Sequence, residues 1–171
     1  MPNPLAGSRF YARLGNAFTR PVWRLLRPPE GFAVLTTTGR KSGAPRNQSV
    51  RAIRHGDRIV VVAMMGEKAQ WLKNIRAIPD VTLRLHDGTV HGVAHQAAVG
   101  AETEWASDAY ISTIVRNDYL DYAVYCWGVP THRKIKAAHK KWFVSGLPVI
   151  IDVSAGQWRQ PPKERQHDRR R

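Results

Sequence analysis

The chain has 171 residues, 43% of them hydrophobic and 23% charged, a composition that supports one globular core. Its longest apolar run, Ile59 to Met65, falls far short of the ~20 residues that span a bilayer as a helix. Lysine and arginine number 27 against 13 acidic residues, a net charge of +14, which draws anions: nucleic acid, acidic lipid or a polyanionic small molecule.

In chain order, Met1-Pro2-Asn3-Pro4 lacks the charged and then apolar pattern of a signal peptide. Residues 8–27 read as amphipathic helix, with Phe10, Leu14, Phe18, Val22 and Leu25 at helical spacing and Arg9, Arg13, Arg20, Arg24 and Arg27 on another face. Pro21 divides this segment and Pro28-Pro29 ends it.

Three short strands follow, expected over Phe32–Thr38, Asn47–Arg54 and Arg58–Met64. His55-Gly56-Asp57 turns the second into the third. A helix is expected over Lys68–Ala77, and a hairpin pairs Asp80–Leu85 with Thr89–Val99 across Asp87-Gly88. One long helix is expected from Ala101 to Tyr125, then a basic helix over Thr131–Lys141 and a last strand over Leu147–Val153. Ser154–Arg171 is polar and charged and reads as a disordered basic tail. The whole is a single α+β domain over residues 1–153, with about six mostly antiparallel strands and flanking helices. Many short antiparallel strands point to a small barrel.

The loop between the first two strands, "TGRKSGAPR", gathers Arg40, Lys41 and Arg46. Gly39 and Gly43 let a ligand approach the backbone, and the cations suit phosphate or carboxylate oxygens. The spacing matches neither a Walker A loop nor a Rossmann fingerprint. Lys68, Lys73 and Arg76 add positive charge on the following helix, where Trp71 and Asn74 are neighbours. Taken alone, Trp71 reads as core and Asn74 as surface. Cys126 is the single cysteine and reads as structural. His91 and His95 share a strand face at ~13 Å, too far apart for one metal, and no metal site is expected.

Four segments, "LTTTGRKSGAPRNQSV", "VVVAMMGEKAQWLKNIRAIPDVTLRL", "YLDYAVY" and "LPVIIDV", together resemble the deazaflavin (coenzyme F420)-dependent nitroreductase and quinone reductase family. The resemblance implies a split β-barrel related to flavin-mononucleotide oxidoreductases, with the cofactor in a groove, often near a homodimer contact. It implies that Arg40, Lys41 and Arg46, beside Thr38, hold the cofactor's phosphate, and that Lys68 meets its oligoglutamate tail. Ala63, Met64 and Met65 would run beside the ring, with Trp71 and Asn74 completing that wall. Tyr119, Tyr122 and Tyr125, at steps of three on a helix, would line the substrate pocket over the ring; read without the resemblance, they are equally amphipathic core residues.

The function so implied is hydride transfer from reduced F420 to a small electron-poor acceptor: a quinone, an enone or a nitro compound. FMN is the alternative cofactor, and a non-enzymatic cofactor- or lipid-binding barrel is the alternative function. The expected setting is cytoplasmic, as monomer or homodimer, without a specific nucleic-acid partner. The basic N-terminal helices also suit peripheral contact with anionic membrane at its inner face. The chain departs from the family in "CWGVPTHRKIKAAHKKWFVSG", residues 126–146, a basic addition placed where it can cover, narrow or rebuild the substrate pocket.

Overall fold

In the computed structural model, described here over residues 27–126 and 129–153 and without the side chains of residues 124 and 125, six strands close into a barrel in the order β1-β2-β3-β6-β5-β4. The strands are β1 Phe32–Thr38, β2 Pro45–His55, β3 Arg58–Ala63, β4 Asp80–Arg84, β5 Thr89–Gln96 and β6 Leu147–Val153. Every pair is antiparallel, and β4 returns to β1 through the register Thr36↔Thr82 to complete the ring. The helices expected over 8–27 lie outside the described residues as far as residue 26, as do the tail at 154–171 and the Tyr125 side chain.

Strand alternation divides the apolar residues between two cores. Ala33, Leu35, Val50, Ala52, Ile59, Val61, Leu83, Val90 and Ile151 fill the barrel. Ile53, Val60, Val62 and Ile150 form a second core with Ala106, Ala109, Tyr110 and Phe143. The helical residues of that second core come from α2 Ala101–Ser112 and α4 His132–Ser145. β3 is therefore apolar on both faces, and "IVVVA" reads as a continuous run rather than an alternation. Each fully buried Val or Ile contributes about 1.5–3 kcal/mol relative to exposure, so this strand anchors both layers.

Three expected elements are corrected. The helix expected from Lys68 is a 3-10 turn, Gly66–Lys68, followed by α1, Gln70–Ala77. Ala69 separates them with an extended backbone, φ −68° and ψ 117°. β5 stops at Gln96 instead of Val99, because the Glu102 carboxylate accepts from the Ala98 N–H at 2.6 Å and draws the chain into α2.

The long helix expected over 101–125 is two, α2 and α3, the latter spanning Arg116–Cys126. Its break has a cause from outside the segment. The Arg51 guanidinium, on β2, donates to the carbonyls of Tyr110 at 3.0 Å and Thr113 at 2.6 Å, taking helix-end acceptors for itself. The Asp118 carboxylate then accepts from the Val115 N–H at 2.8 Å and starts α3. α4 follows the expected basic helix but runs on to Ser145, with Thr131 as its N-cap accepting from the Lys134 N–H.

Candidate cofactor and substrate site

The basic loop is a tight, internally bonded turn. Gly39 N–H donates to the Ala44 carbonyl at 2.9 Å, and the N–H groups of Ser42 and Gly43 both donate to the Gly39 carbonyl. Gly43 has φ +65°, a left-handed conformation that favours glycine. A Cβ on Gly39 would sit 3.0 Å from both the Ala44 carbonyl oxygen and Ser42 Oγ. The turn thus requires the two glycines for its own closure, and it presents Arg40, Lys41 and Arg46 at the surface.

A buried amide holds this loop to α1. Asn74 is 5% exposed, and its Oδ1 accepts from the Arg40 main-chain N–H at 3.3 Å and from the Arg40 guanidinium at 3.1 Å. Its Nδ2 donates to Thr37 Oγ1 at 3.1 Å. The other end of the same guanidinium donates to Gln70 Oε1 at 3.2 Å, and Gln70 Nε2 donates to the Lys68 carbonyl at 3.4 Å. The Lys68 N–H in turn donates to the Met65 carbonyl at 3.1 Å. One chain of hydrogen bonds therefore runs from β1 through Asn74, Arg40, Gln70 and Lys68 to the end of β3.

This assembly brings together most of the expected cofactor residues, with changes of role. Asn74 is a brace rather than a surface residue. Arg40 is oriented by two neutral amide oxygens. Lys41, Arg46 and Lys68 are exposed, and among the described residues none of the three forms an ion pair with a carboxylate. Met64 and Met65 are 50% and 40% exposed, an apolar ledge beside Lys68, and Trp71 packs partly against the barrel core. Thr38 is half-buried at the end of β1, opposite Pro45. The Ala63 side chain is buried in the barrel interior, so only its main chain can run beside a ligand.

The tyrosines lie elsewhere, on α3. Tyr119 and Tyr122 are half-buried, and the Tyr119 ring stands 6.0 Å from the His132 ring on α4. Among the described residues, no hydrogen bond or ring contact joins either tyrosine to the basic loop. The added segment 126–146 thus meets the tyrosine helix directly.

Beneath α3 lies a polar cluster that sequence reasoning passed over. Arg51 and Asp118 are both buried and doubly bonded, Nε to Oδ1 at 2.9 Å and Nη2 to Oδ2 at 3.1 Å. The guanidinium also lies 4.4 Å from the Tyr110 ring centre. His139 Nε2, from α4, stands 3.5 Å from Asp118 Oδ1. Burial by itself would raise the Asp118 pKa, but the bonds from His139 and Arg51 outweigh it and hold the carboxyl well below its usual range. Asp121, one turn on, is pushed up to about 7 by burial and by the negative charge of Asp118, against a smaller pull from Arg51. The signal in the sequence was faint: an arginine inside an otherwise apolar stretch, "SVRAI".

A braced loop of exposed cations stands at one end of a closed six-stranded barrel, and the protein-family comparison identifies the family. Residues 11–137 match the model of the F420H(2)-dependent quinone reductase family. The chain belongs to this family. It is accordingly an F420H2-dependent reductase, as the four segments had implied. Among solved structures, an F420-H2 dependent reductase, FDR-A, aligns at 20% identity over 76% of this chain and 99% of its own, with a TM-score of 0.49. A domain-swapped dimer aligns at 18% identity over 83% of this chain and 97% of its own, with a TM-score of 0.50. The latter likeness supports the barrel fold.

Proposed function

We propose that the chain passes hydride from reduced F420 to a small electron-poor acceptor, a quinone, enone or nitro compound, and that the β1–β2 loop is the anchor for the cofactor's phosphate. The observation that carries this reading is the Asn74–Arg40–Gln70–Lys68 chain of hydrogen bonds, which fixes a loop without acidic residues next to the end of β3. Cations held together repel one another unless an anion joins them, and a cofactor with a phosphodiester and a carboxylate tail suits that demand. The donor set fits the group: forked Arg40 and Arg46 for phosphate oxygens, Lys41 and Lys68 as point charges for phosphate and carboxylate.

The bound deazaflavin supplies the hydride. The protein's part is placement. Met64 and Met65 offer an apolar ledge for a planar ring, and the brace sets its distance from the anchor. A hydride added to a quinone or enone leaves negative charge on oxygen, and a phenolic O–H of Tyr119 or Tyr122 can donate to that oxygen. No nucleophile or metal is called on in this scheme.

Purified protein is titrated with F420 and, separately, with FMN, following ring or tryptophan fluorescence. F420 binds the wild type. Replacing Arg40 and Lys41 together by Ala weakens it by about 2–4 kcal/mol. Binding of neither cofactor overturns the reading, and unchanged affinity in the double variant moves the phosphate to another place.

A further inference from the structure

We propose that the outer face of α4 is a docking surface for an anionic lipid bilayer. α4 is anchored by one side only: Ile135, Ala138, His139 and Phe143 are buried, whereas Arg133, Lys134, Lys136, Lys140 and Lys141 are exposed. Arg133, Ala137, Lys140 and Val144 follow one another at helical steps along the middle of the exposed face, a row of about 16 Å. Lys136 flanks the row on one side, Lys134 and Lys141 on the other.

The charge on this face is uncompensated by its own chain. No acidic residue occurs between Asp121 and Asp152, and none of the five cations forms a salt bridge among the described residues. Such a helix gains nothing in folding from five like charges on one face, since like charges at steps of three and four destabilise it.

Two apolar side chains favour a bilayer over a nucleic acid or an acidic protein groove. Val144 is 74% exposed near the C-terminal end of the helix, and Val129 is 75% exposed just ahead of its start. Lys134 Nζ donates to the Val129 carbonyl at 3.3 Å, which keeps that valine at the end of the basic face. A helix lying flat, with cations along its length and apolar side chains at both ends, matches the headgroup layer, where phosphates sit beside acyl chains. Phosphates of a nucleic acid would leave both valines in water.

The test needs neither cofactor nor turnover, so its failure is separate from failure of the reductase reading. The full chain is sedimented with phosphatidylcholine vesicles and with mixed phosphatidylcholine–phosphatidylglycerol vesicles, at low and high salt. The wild type is expected to bind only the mixed vesicles and to leave them as salt rises. Arg133→Gln with Lys136→Gln and Lys140→Gln is expected to lower partition about a hundredfold, at roughly fivefold per charge. Val144→Asn lowers it severalfold without changing the salt dependence. All four positions are exposed, and circular dichroism confirms that the variants fold. Failure of the wild type to bind, equal binding to neutral vesicles, or wild-type partition in the triple variant overturns the proposal; the last result transfers binding to the basic termini. Duplex DNA that strips the wild type from vesicles and is itself lost by the triple variant makes this a nucleic-acid face instead.

Discussion

Asn74 and Arg40 are joined twice through a single oxygen: Asn74 Oδ1 accepts both the main-chain N–H and the guanidinium of Arg40. One buried amide thereby fixes the position of a loop and the direction of its first cation. Asn74→Ala removes both bonds and leaves Thr37 Oγ1 without its donor. The expected cost is about 1–3 kcal/mol of stability, read by denaturant unfolding, with weaker F420 binding in the same protein. Asn74→Asp keeps an acceptor for Arg40 but loses the donor to Thr37 and adds a charge that competes with phosphate. It is expected to bind cofactor worse than it unfolds.

Lys41 and Lys68 are exposed, so their contribution is long-range attraction as well as contact. Lys41→Gln and Lys68→Gln are each expected to weaken F420 binding less than loss of Arg40 does, and to flatten its dependence on salt. Titrations at two ionic strengths measure this. If Lys68 meets the carboxylate tail, its variant loses the preference for cofactor with a longer tail, while the Lys41 variant keeps it.

Tyr119→Phe and Tyr122→Phe change one oxygen each on α3. The residue that donates to the acceptor is expected to show a kcat lower by about a hundredfold to a thousandfold, with F420 affinity unchanged, for a lost donor to developing charge. The other shows a change in KM alone or none. Steady-state kinetics with a soluble quinone and direct cofactor titration separate the two.

Arg51 and Asp118 are buried together, and removing either leaves the other buried without its ion-pair partner. Asp118→Asn or Arg51→Met is expected to cost about 3–5 kcal/mol. The double variant, with neither charge present, is expected to recover part of that loss. Midpoints of chemical denaturation, compared as a double-mutant cycle, decide the matter.

Asp121 and Asp118 give opposite pH dependences. Asp121, at about 7 in the fold, keeps its proton where the unfolded chain, near ~3.9, has lost it. Stability therefore falls as pH rises from ~4 to ~7, by up to about 1.4 kcal/mol per pH unit. Asp118, held low, does the reverse: its contribution is present above ~4 and is lost as pH falls below that. Asp121→Asn is expected to flatten the decline toward neutrality and leave the acid limb in place, as thermal melts across this range would show.

The strands were legible because their signals are local. β1 and β6 have the bounds that alternation and turn residues predict, and His55-Gly56-Asp57 marks its hairpin by composition alone. The family of the protein was legible from short segments, since the glycine-bounded cations and the Trp71–Asn74 pair are patterns local in the chain. The break between α2 and α3 was not legible. Thr113, Ile114 and Val115 contain no Gly or Pro, and the group that ends α2 is an arginine on β2, 59 residues away from the carbonyl it takes. Asn74, which taken alone reads as surface, is buried for a related reason. A polar residue on a short helix reads as solvated, and its burial depends on a loop 34 residues earlier. What local chemistry determines can be read along the chain, whereas what a distant side chain determines cannot.

β6 lies between β3 and β5, and its partners are settled long before it is made. Until Leu147–Val153 leaves the ribosome, the earlier strands can form only an open sheet in the order β3-β2-β1-β4-β5, with unpaired amides along both margins. The last strand acts as a latch that turns this sheet into a ring, so a nascent or truncated chain lacking it exposes two sticky borders at once. Quality control during synthesis would therefore act on this protein until β6 has paired with β3 and β5, the step that hides both borders from neighbouring chains.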